Sequence, residues 1–158
     1  MANRLYNHKA KIRGIQPVKS SALQPGMLLT FRYKVKDIMD KNPLIVFLVQ
    51  DGDLIDGLNL NYLTEYKVLQ LFKNFGNEVG VSDKDASDNP LLNEHYTLVN
   101  LPSYKSGTSN PLAKAESIIK MKRLYKELIK PKMLRTDDIY RSYKINNISN
   151  LKVVRYTI

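Results

Sequence analysis

The stretch that most constrains the fold is the apolar run "LIVFLVQ" at residues 44–50. A strand built from it presents apolar side chains on both faces, which is typical of a central strand in a sheet. The preceding residues 27–36 alternate apolar with polar side chains, the two-residue period of a half-buried strand. These two stretches predict neighbouring strands of one sheet.

The segment "DGDLIDGLNLNYL" at residues 51–63 follows directly. Its first Asp-Gly pair predicts a hairpin, and the second, at 56–57, indicates another turn or a bulge, because glycine adopts positive φ without steric cost. The alternating "LNLNYL" predicts a strand at 57–62. Counted from Asp51, positions five and twelve are isoleucine and tyrosine, where an EF-hand needs acidic side chains. The segment therefore predicts turns and a strand rather than a calcium loop.

Together with the rest of the chain, these segments predict an α+β fold. We expect a small SH3-like β-barrel or twisted antiparallel sheet with two or three flanking helices and an extended N-terminal arm. We expect an extended basic arm at 1–25 and one domain at 26–158 with a mobile loop near 77–93. Further strands are predicted near 95–101 and 151–158, helices at 64–75 and 111–130, and a short helix over 136–148. One shared interior should bury Leu29, Phe31, Val46, Leu48, Leu58, Leu60 and Tyr62.

The net charge of +10 is unevenly distributed along the chain. Residues 1–36 carry eight Lys/Arg and no acid, residues 37–103 carry four basic and eleven acidic residues, and residues 104–158 carry thirteen basic and four acidic. Two basic ends around an acidic middle favour head-to-tail docking of copies or neighbours. The longest apolar run is too short for a membrane helix, and residues 1–21 lack the apolar region of a secretory signal, so we expect a soluble protein.

Few residues suggest catalysis or metal binding. The chain has no cysteine, and its two histidines, His8 and His95, are expected at the surface. The glycine-rich phosphate loops, the nucleophile elbow and the zinc-binding helix motif do not occur. A Ser/His/Asp triad is still an alternative, because its members can lie far apart in the sequence. We predict no enzymatic activity, no catalytic residue, no cofactor and no metal.

Basic residues are the candidate binding groups. We expect them to contact a partner from the arm and from one face of the second helix. The arm contributes Arg4, Lys9, Lys11, Arg13 and Lys19, and the helix contributes Lys120, Lys122, Arg123, Lys126 and Lys130. Interleaved tyrosines also permit phosphate contact and base stacking on nucleic acid, and a solvated lysine-rich face is the simplest alternative. The arm alone buries too little to order itself, so we expect it to become ordered on a neighbour.

The stretch "PGMLLTFRYKVKD…NPLIVFLVQDGDLIDGLNLNYL" resembles small proteins encoded by large tailed bacteriophages. These have a Phe-x-Tyr strand, an "NPL-apolar" strand and a "GLNLHYL"-type strand before a helix, and "YRSYKINNISNLKVVRY" is similar to their ending. Asn61 stands where that family often has histidine. The resemblance implies association with the virion, especially the tail. We therefore predict a non-enzymatic structural or assembly protein of the tail or baseplate that binds other virion proteins, with a phage nucleic-acid-binding or transcription-modulating protein as the alternative.

Overall fold

The computed structural model describes residues 5–36, 38–78, 115–129 and 140–156. They form an α+β fold with a six-stranded antiparallel sheet and two α-helices, which confirms the predicted class. The strands are β1 (Ile12–Pro17), β2 (Leu28–Tyr33), β3 (Leu44–Asp51), β4 (Leu54–Asn59), β5 (Tyr140–Lys144) and β6 (Ile148–Tyr156). The helices are α1 (Glu65–Glu78) and α2 (Ala115–Leu128), and short 3₁₀ turns occupy Lys9–Lys11, Ser20–Ala22, Leu60–Tyr62 and Ile145–Asn147. Neither helix is long and apolar enough to cross a membrane.

The sheet has the strand order β1-β6-β2-β3-β4-β5, and every neighbouring pair is antiparallel. β6, the last strand in sequence, lies between β1 and β2. β1 and β5 are the two edges and do not pair with each other, so the described sheet is open and the predicted closed barrel is not confirmed.

The β3–β4 hairpin turns at the first Asp-Gly pair, as the sequence predicted. Gly52 has φ 60°, the left-handed conformation that glycine adopts at little cost. The strand predicted at 57–62 begins and ends earlier, because Leu60–Tyr62 form a 3₁₀ turn. The Asn59 side chain accepts a hydrogen bond from the Asn61 N–H at 2.9 Å, and this local bond replaces strand pairing.

The second Asp-Gly pair lies inside β4 and makes no turn, so of the two predicted alternatives the bulge is the one that the register supports. Gly57 lies opposite Phe47 and Asp56 opposite Val49, which leaves the extra residue of the irregularity in the facing strand. Gly57 is needed for close approach rather than for its backbone angle. A Cβ added there would lie 2.5 Å from Ile45 Cδ1 and 3.0 Å from the Val46 carbonyl oxygen.

Two apolar clusters lie on opposite faces of the sheet, because successive strand side chains point in opposite directions. The first, the helix-side cluster, joins the sheet to α1 and α2 and includes Val46, Leu60, Phe72 and Tyr125. The second packs on the other face. Its buried members are Met27, Leu29, Phe31, Tyr33, Ile38, Ile45, Phe47, Ile55 and Tyr143. All seven residues predicted to be core are buried, but they divide between the two clusters rather than sharing one interior.

The N-terminal stretch differs from the predicted separate arm. Residues 12–17 are the edge strand β1, which pairs with β6 from Ile12 opposite Tyr156 to Pro17 opposite Lys152. The sequence did not reveal this strand because its side chains are half-buried or exposed, with Ile15 52% exposed, and the apolar alternation is incomplete.

The short helix predicted at 136–148 was wrong over its described part, where residues 140–144 form β5. β5 pairs with β4, and Tyr143 packs edge-on against Phe31 and Tyr33 with ring centroids 5.1 and 5.0 Å away. This aromatic contact stabilises the strand conformation of residues 140–144 over a helix. The predicted strand at 95–101 lies outside the described residues, as does the predicted loop after residue 78.

Candidate functional site

The N-terminal residues before β1 are attached to the body of the fold by His8. Its side chain is 2% exposed, with Nε2 lying 2.9 Å from the carbonyl oxygens of both Leu60 and Leu63 and Nδ1 lying 2.8 Å from the Tyr156 hydroxyl. Carbonyl oxygens only accept, so we assign the proton to Nε2, and the Tyr156 hydroxyl donates to Nδ1. The prediction that His8 is a solvated surface residue was therefore wrong.

Burial determines the charge of this pair. Removal from water lowers the pKa of His8 below its ordinary value of 6.5, although the two carbonyl bonds and nearby Glu65 act in the opposite direction. Burial likewise raises the pKa of Tyr156, with a further contribution from Glu65. Both side chains are therefore neutral at pH 7, which suits a contact with the helix-side cluster.

A polar cluster lies beside this attachment and is built around Asp40, which is 6% exposed. Its Oδ2 accepts hydrogen bonds from the side-chain amides of Asn59 at 2.9 Å and Asn61 at 2.8 Å, and its Oδ1 accepts from the Asn42 N–H at 3.0 Å. A buried carboxylate is tolerated when several donors satisfy it, as here. The cluster fixes the loop before β3 against the turn after β4.

The same turn is attached to two further elements. The Tyr125 hydroxyl of α2 donates to the Asn59 carbonyl at 2.7 Å, and the Tyr6 N–H donates to the Asn61 carbonyl at 2.7 Å. The asparagines of "LNLNYL" thus serve as connectors between the sheet, α2 and the N-terminal residues. Their alternation indicated a strand, whereas their amides hold a turn in place.

A shallow cleft of about 340 Å³ opens next to these connectors, and we call it the N-terminal cleft. Its walls come from the residues before β1, from β1, from β2, from the start of β3 and the loop before it, and from the turn after β4. It is lined by Leu5, Tyr6, Asn7, His8, Lys9, Ile12, Thr30, Asn42, Leu44 and Asn61. The lining combines apolar side chains with amides, a hydroxyl and one cation, and no carboxylate is among these residues.

Additional positive charge stands on the same face of the sheet. Thr30, which lines the cleft, lies directly opposite Lys152 of β6 in the antiparallel pair. Directly opposed residues share a face with side chains about 5 Å apart. Lys152 was not among the residues that the sequence singled out, and its proximity to the cleft depends on the β2–β6 pairing, which no local pattern indicates.

The predicted basic residues lie on two different elements. In the first set Lys9, Lys11, Arg13 and Lys19 lie along and around β1, and Lys9 reaches the cleft. In the second set Lys120 and Lys122 on α2 are half-buried, whereas Arg123 and Lys126 are exposed. Arg123 pairs with Glu127 at 3.0 Å, an exposed i,i+4 pair. Arg4 and Lys130 lie outside the described residues.

Within residues 5–36, 38–78, 115–129 and 140–156, no group of three or more His, Asp or Glu side chains is placed to hold a metal ion. Comparisons with protein-family models, with curated protein sequences and with solved structures gave no match. The candidate functional surfaces of the described residues are therefore the basic edge of the sheet and the N-terminal cleft.

Proposed function

We propose that this protein is a non-enzymatic structural or assembly component of a tailed-phage virion, at the tail or baseplate, which binds neighbouring proteins through the basic residues around β1. The observation that carries the proposal is the position of β1, an edge strand that contains Arg13 and is flanked by Lys9, Lys11 and Lys19. The resemblance of "NPLIVFLVQDGDLIDGLNLNYL" to small proteins of large tailed phages supplies the virion setting.

The basic edge suits an acidic partner surface. No acidic residue occurs among the first 36 residues, so a partner carboxylate meets no local repulsion from this segment. Each exposed ion pair contributes about 0.2–1 kcal/mol, so several must act together. Exposed Ile15 on β1 adds an apolar contact between the charges. An edge strand of this kind provides both the backbone groups and the charges for a protein contact.

We also propose that the sheet curls strongly, as in an SH3-like barrel, rather than forming a flat layer. Two contacts support strong curling. Tyr33 of β2 and Tyr143 of β5 have ring centroids 5.0 Å apart although two strands lie between theirs in the sheet. The Lys144 N–H of β5 donates to the Tyr33 hydroxyl at 3.0 Å. A 3₁₀ turn at Ile145–Asn147 then connects β5 to β6.

A second candidate function is nucleic-acid binding, and the exposed basic groups of α2 favour it. Arg123 and Lys126 face solvent on a helix that also carries half-buried Lys120 and Lys122. Glu116 in the first turn and the Arg123–Glu127 pair reduce the positive potential of this face. For this reason the protein-binding role ranks first.

The test compares charge reversals at the two basic sites. Mass spectrometry of purified virions should detect the wild-type chain. Charge reversal is preferable to deleting residues 2–20, because deletion also removes His8 and β1. Changing Lys9, Lys11, Arg13 and Lys19 together to Glu should preserve the thermal unfolding temperature and abolish incorporation. The control variant reverses three lysines on α2, Lys120, Lys122 and Lys126, and should still incorporate.

Three results would contradict this assignment: absence of the wild-type chain from virions, normal incorporation of the β1 variant, or loss through the α2 variant alone. The nucleic-acid candidate predicts instead a tight, sequence-selective complex at physiological salt. Its affinity would fall steeply as salt rises, and the α2 variant would weaken it.

A further inference from the structure

We propose that the N-terminal cleft binds an extended, carboxylate-bearing segment of a partner protein. The cleft holds about 340 Å³, near the lower end of the roughly 300–1,000 Å³ typical of ligand sites. That volume suits a few residues of extended chain. The proposal rests on the proposed function for the nature of the partner, but its test uses the isolated protein and a peptide.

Asn61 provides an acceptor held in a fixed orientation. Its Nδ2 donates to Asp40 Oδ2 at 2.8 Å and to the Asn42 carbonyl at 3.2 Å, so both amide protons are used. We assign the amide from these two acceptors, which turns Oδ1 away from Asp40. Oδ1 accepts no hydrogen bond within the described part of the chain, and Asn61 lines the cleft. This oxygen would accept a hydrogen bond from a peptide N–H.

Two lysines provide the complementary charge. Lys9 lines the cleft, and Lys152 stands beside it opposite Thr30. Neither lysine has an ion-pair partner in the parts of the chain described, and their side chains are exposed and half-buried respectively. A carboxylate placed between them would gain two favourable contacts without displacing an ion pair to any described residue.

The remaining lining favours a peptide over a nucleic acid. Leu5, Ile12 and Leu44 contribute apolar surface, and the Asn61 oxygen would repel a phosphate oxygen. Nucleic-acid backbones are held by several cations along a track, whereas this cleft has Lys9 in its lining, Lys152 beside it and a fixed neutral acceptor. An extended segment that alternates apolar with acidic side chains can contact the apolar lining, the lysines and the Asn61 oxygen at once. Its alternate side chains point in opposite directions, and its backbone carries N–H donors.

The test measures fluorescence anisotropy of a short labelled peptide that alternates valine with glutamate, titrated with the full-length protein. Its counterpart with glutamine in place of glutamate controls for charge. Amide chemical-shift mapping of the labelled protein locates the contact. We expect saturable binding of the glutamate peptide, at least about tenfold weaker binding of the glutamine peptide, and shifts concentrated in the cleft lining.

Variants then assign the charges. Lys9→Gln and Lys152→Gln should each weaken the glutamate peptide about two- to fivefold, and the double variant about tenfold, with little change in unfolding temperature. Lys73→Gln on the exposed surface of α1 makes the same charge change away from the cleft and should have no effect.

Equal binding of the two peptides, shifts outside the cleft, or equal loss in the Lys73 control would overturn the proposal. So would tighter binding of a single-stranded oligonucleotide through the same two lysines, which would assign the cleft to nucleic acid. Because these assays need no particle, failure of the peptide to bind removes the cleft proposal alone, whereas absence from virions removes the proposed function alone.

Discussion

Replacing His8 with phenylalanine tests the attachment of the N-terminal residues. The ring volume is nearly kept, but the two carbonyl oxygens lose the Nε2 donor and the Tyr156 hydroxyl loses its acceptor. A buried polar group left without its partner costs about 1–3 kcal/mol. Leu60 retains its bond from the Leu63 N–H at 2.9 Å, so we expect a total loss of about 2–4 kcal/mol. That is a large share of the roughly 5–15 kcal/mol that stabilises a domain.

The same substitution should change how stability depends on pH. The pKa of His8 is lowered by burial in the folded state, so between that value and 6.5 the unfolded chain binds more protons than the folded one. Stability therefore rises with pH in this window. The contribution of His8 is fully present above pH 6.5 and is lost as the pH falls through the folded-state value. His8→Phe removes this contribution and should flatten the pH dependence.

Urea unfolding followed by circular dichroism at pH 8 and pH 5.5 measures both effects. Wild type should lose stability at pH 5.5, and His8→Phe should be less stable at pH 8 but lose less on acidification. Tyr156→Phe is the matched control, since it keeps both carbonyl bonds and should cost about 1 kcal/mol. A loss under about 0.5 kcal/mol for His8→Phe, or the same pH dependence in both proteins, would refute the assigned role of His8.

Four substitutions test the packing and the polar cluster by urea unfolding. Gly57→Ala should cost about 1–3 kcal/mol because its Cβ would meet the fully buried Ile45, whereas Gly14→Ala, whose Cβ has no neighbour closer than 3.6 Å, should change stability by less than about 1 kcal/mol. Phe31→Ala should cost about 2–5 kcal/mol, and a loss below about 0.5 kcal/mol would contradict its place in the second cluster. Asp40→Ala should cost about 1–3 kcal/mol, and no loss would mean that the asparagine amides find other acceptors.

The centre of the sheet could be predicted from sequence because its strands carry their signals locally. The apolar run of β3 and the Asp-Gly turn at 51–52 place the hairpin without reference to distant residues. The edges could not be predicted in the same way. β1 pairs one backbone edge with β6 and leaves its other edge unpaired in the described sheet. The strand conformation of β5 depends on the contact between Tyr143 and Phe31, which the local sequence does not indicate. Edge strands have fewer neighbours to impose a two-residue period.

The site was harder to predict because its contacts join residues far apart in sequence. His8 and Tyr156 are separated by 148 positions, and His8 and Leu60 by 52. A lone histidine in a basic, polar stretch has no periodicity that indicates burial. Asn61 did appear in the alternating segment, but the value of its amide depends on Asp40, whose carboxylate approaches from a different loop. The strand prediction for this segment was therefore correct at residues 57–59 and wrong at residues 60–62, which form the 3₁₀ turn.

The attachment of the N-terminal residues and the N-terminal cleft share side chains, and this links their equilibria. Tyr6, His8 and Lys9 form one wall of the cleft, and His8 fixes that wall to the turn after β4. A partner segment that binds only the formed cleft must stabilise the attached state. The stabilisation grows with the ratio of the free partner concentration to its dissociation constant. Conversely, any change that releases His8 reduces the fraction of molecules with a complete cleft, and the apparent affinity falls by that fraction. Because burial disfavours the charged imidazole and lowers the pKa of His8, protonation favours the released state, so acid should weaken a cleft-bound partner.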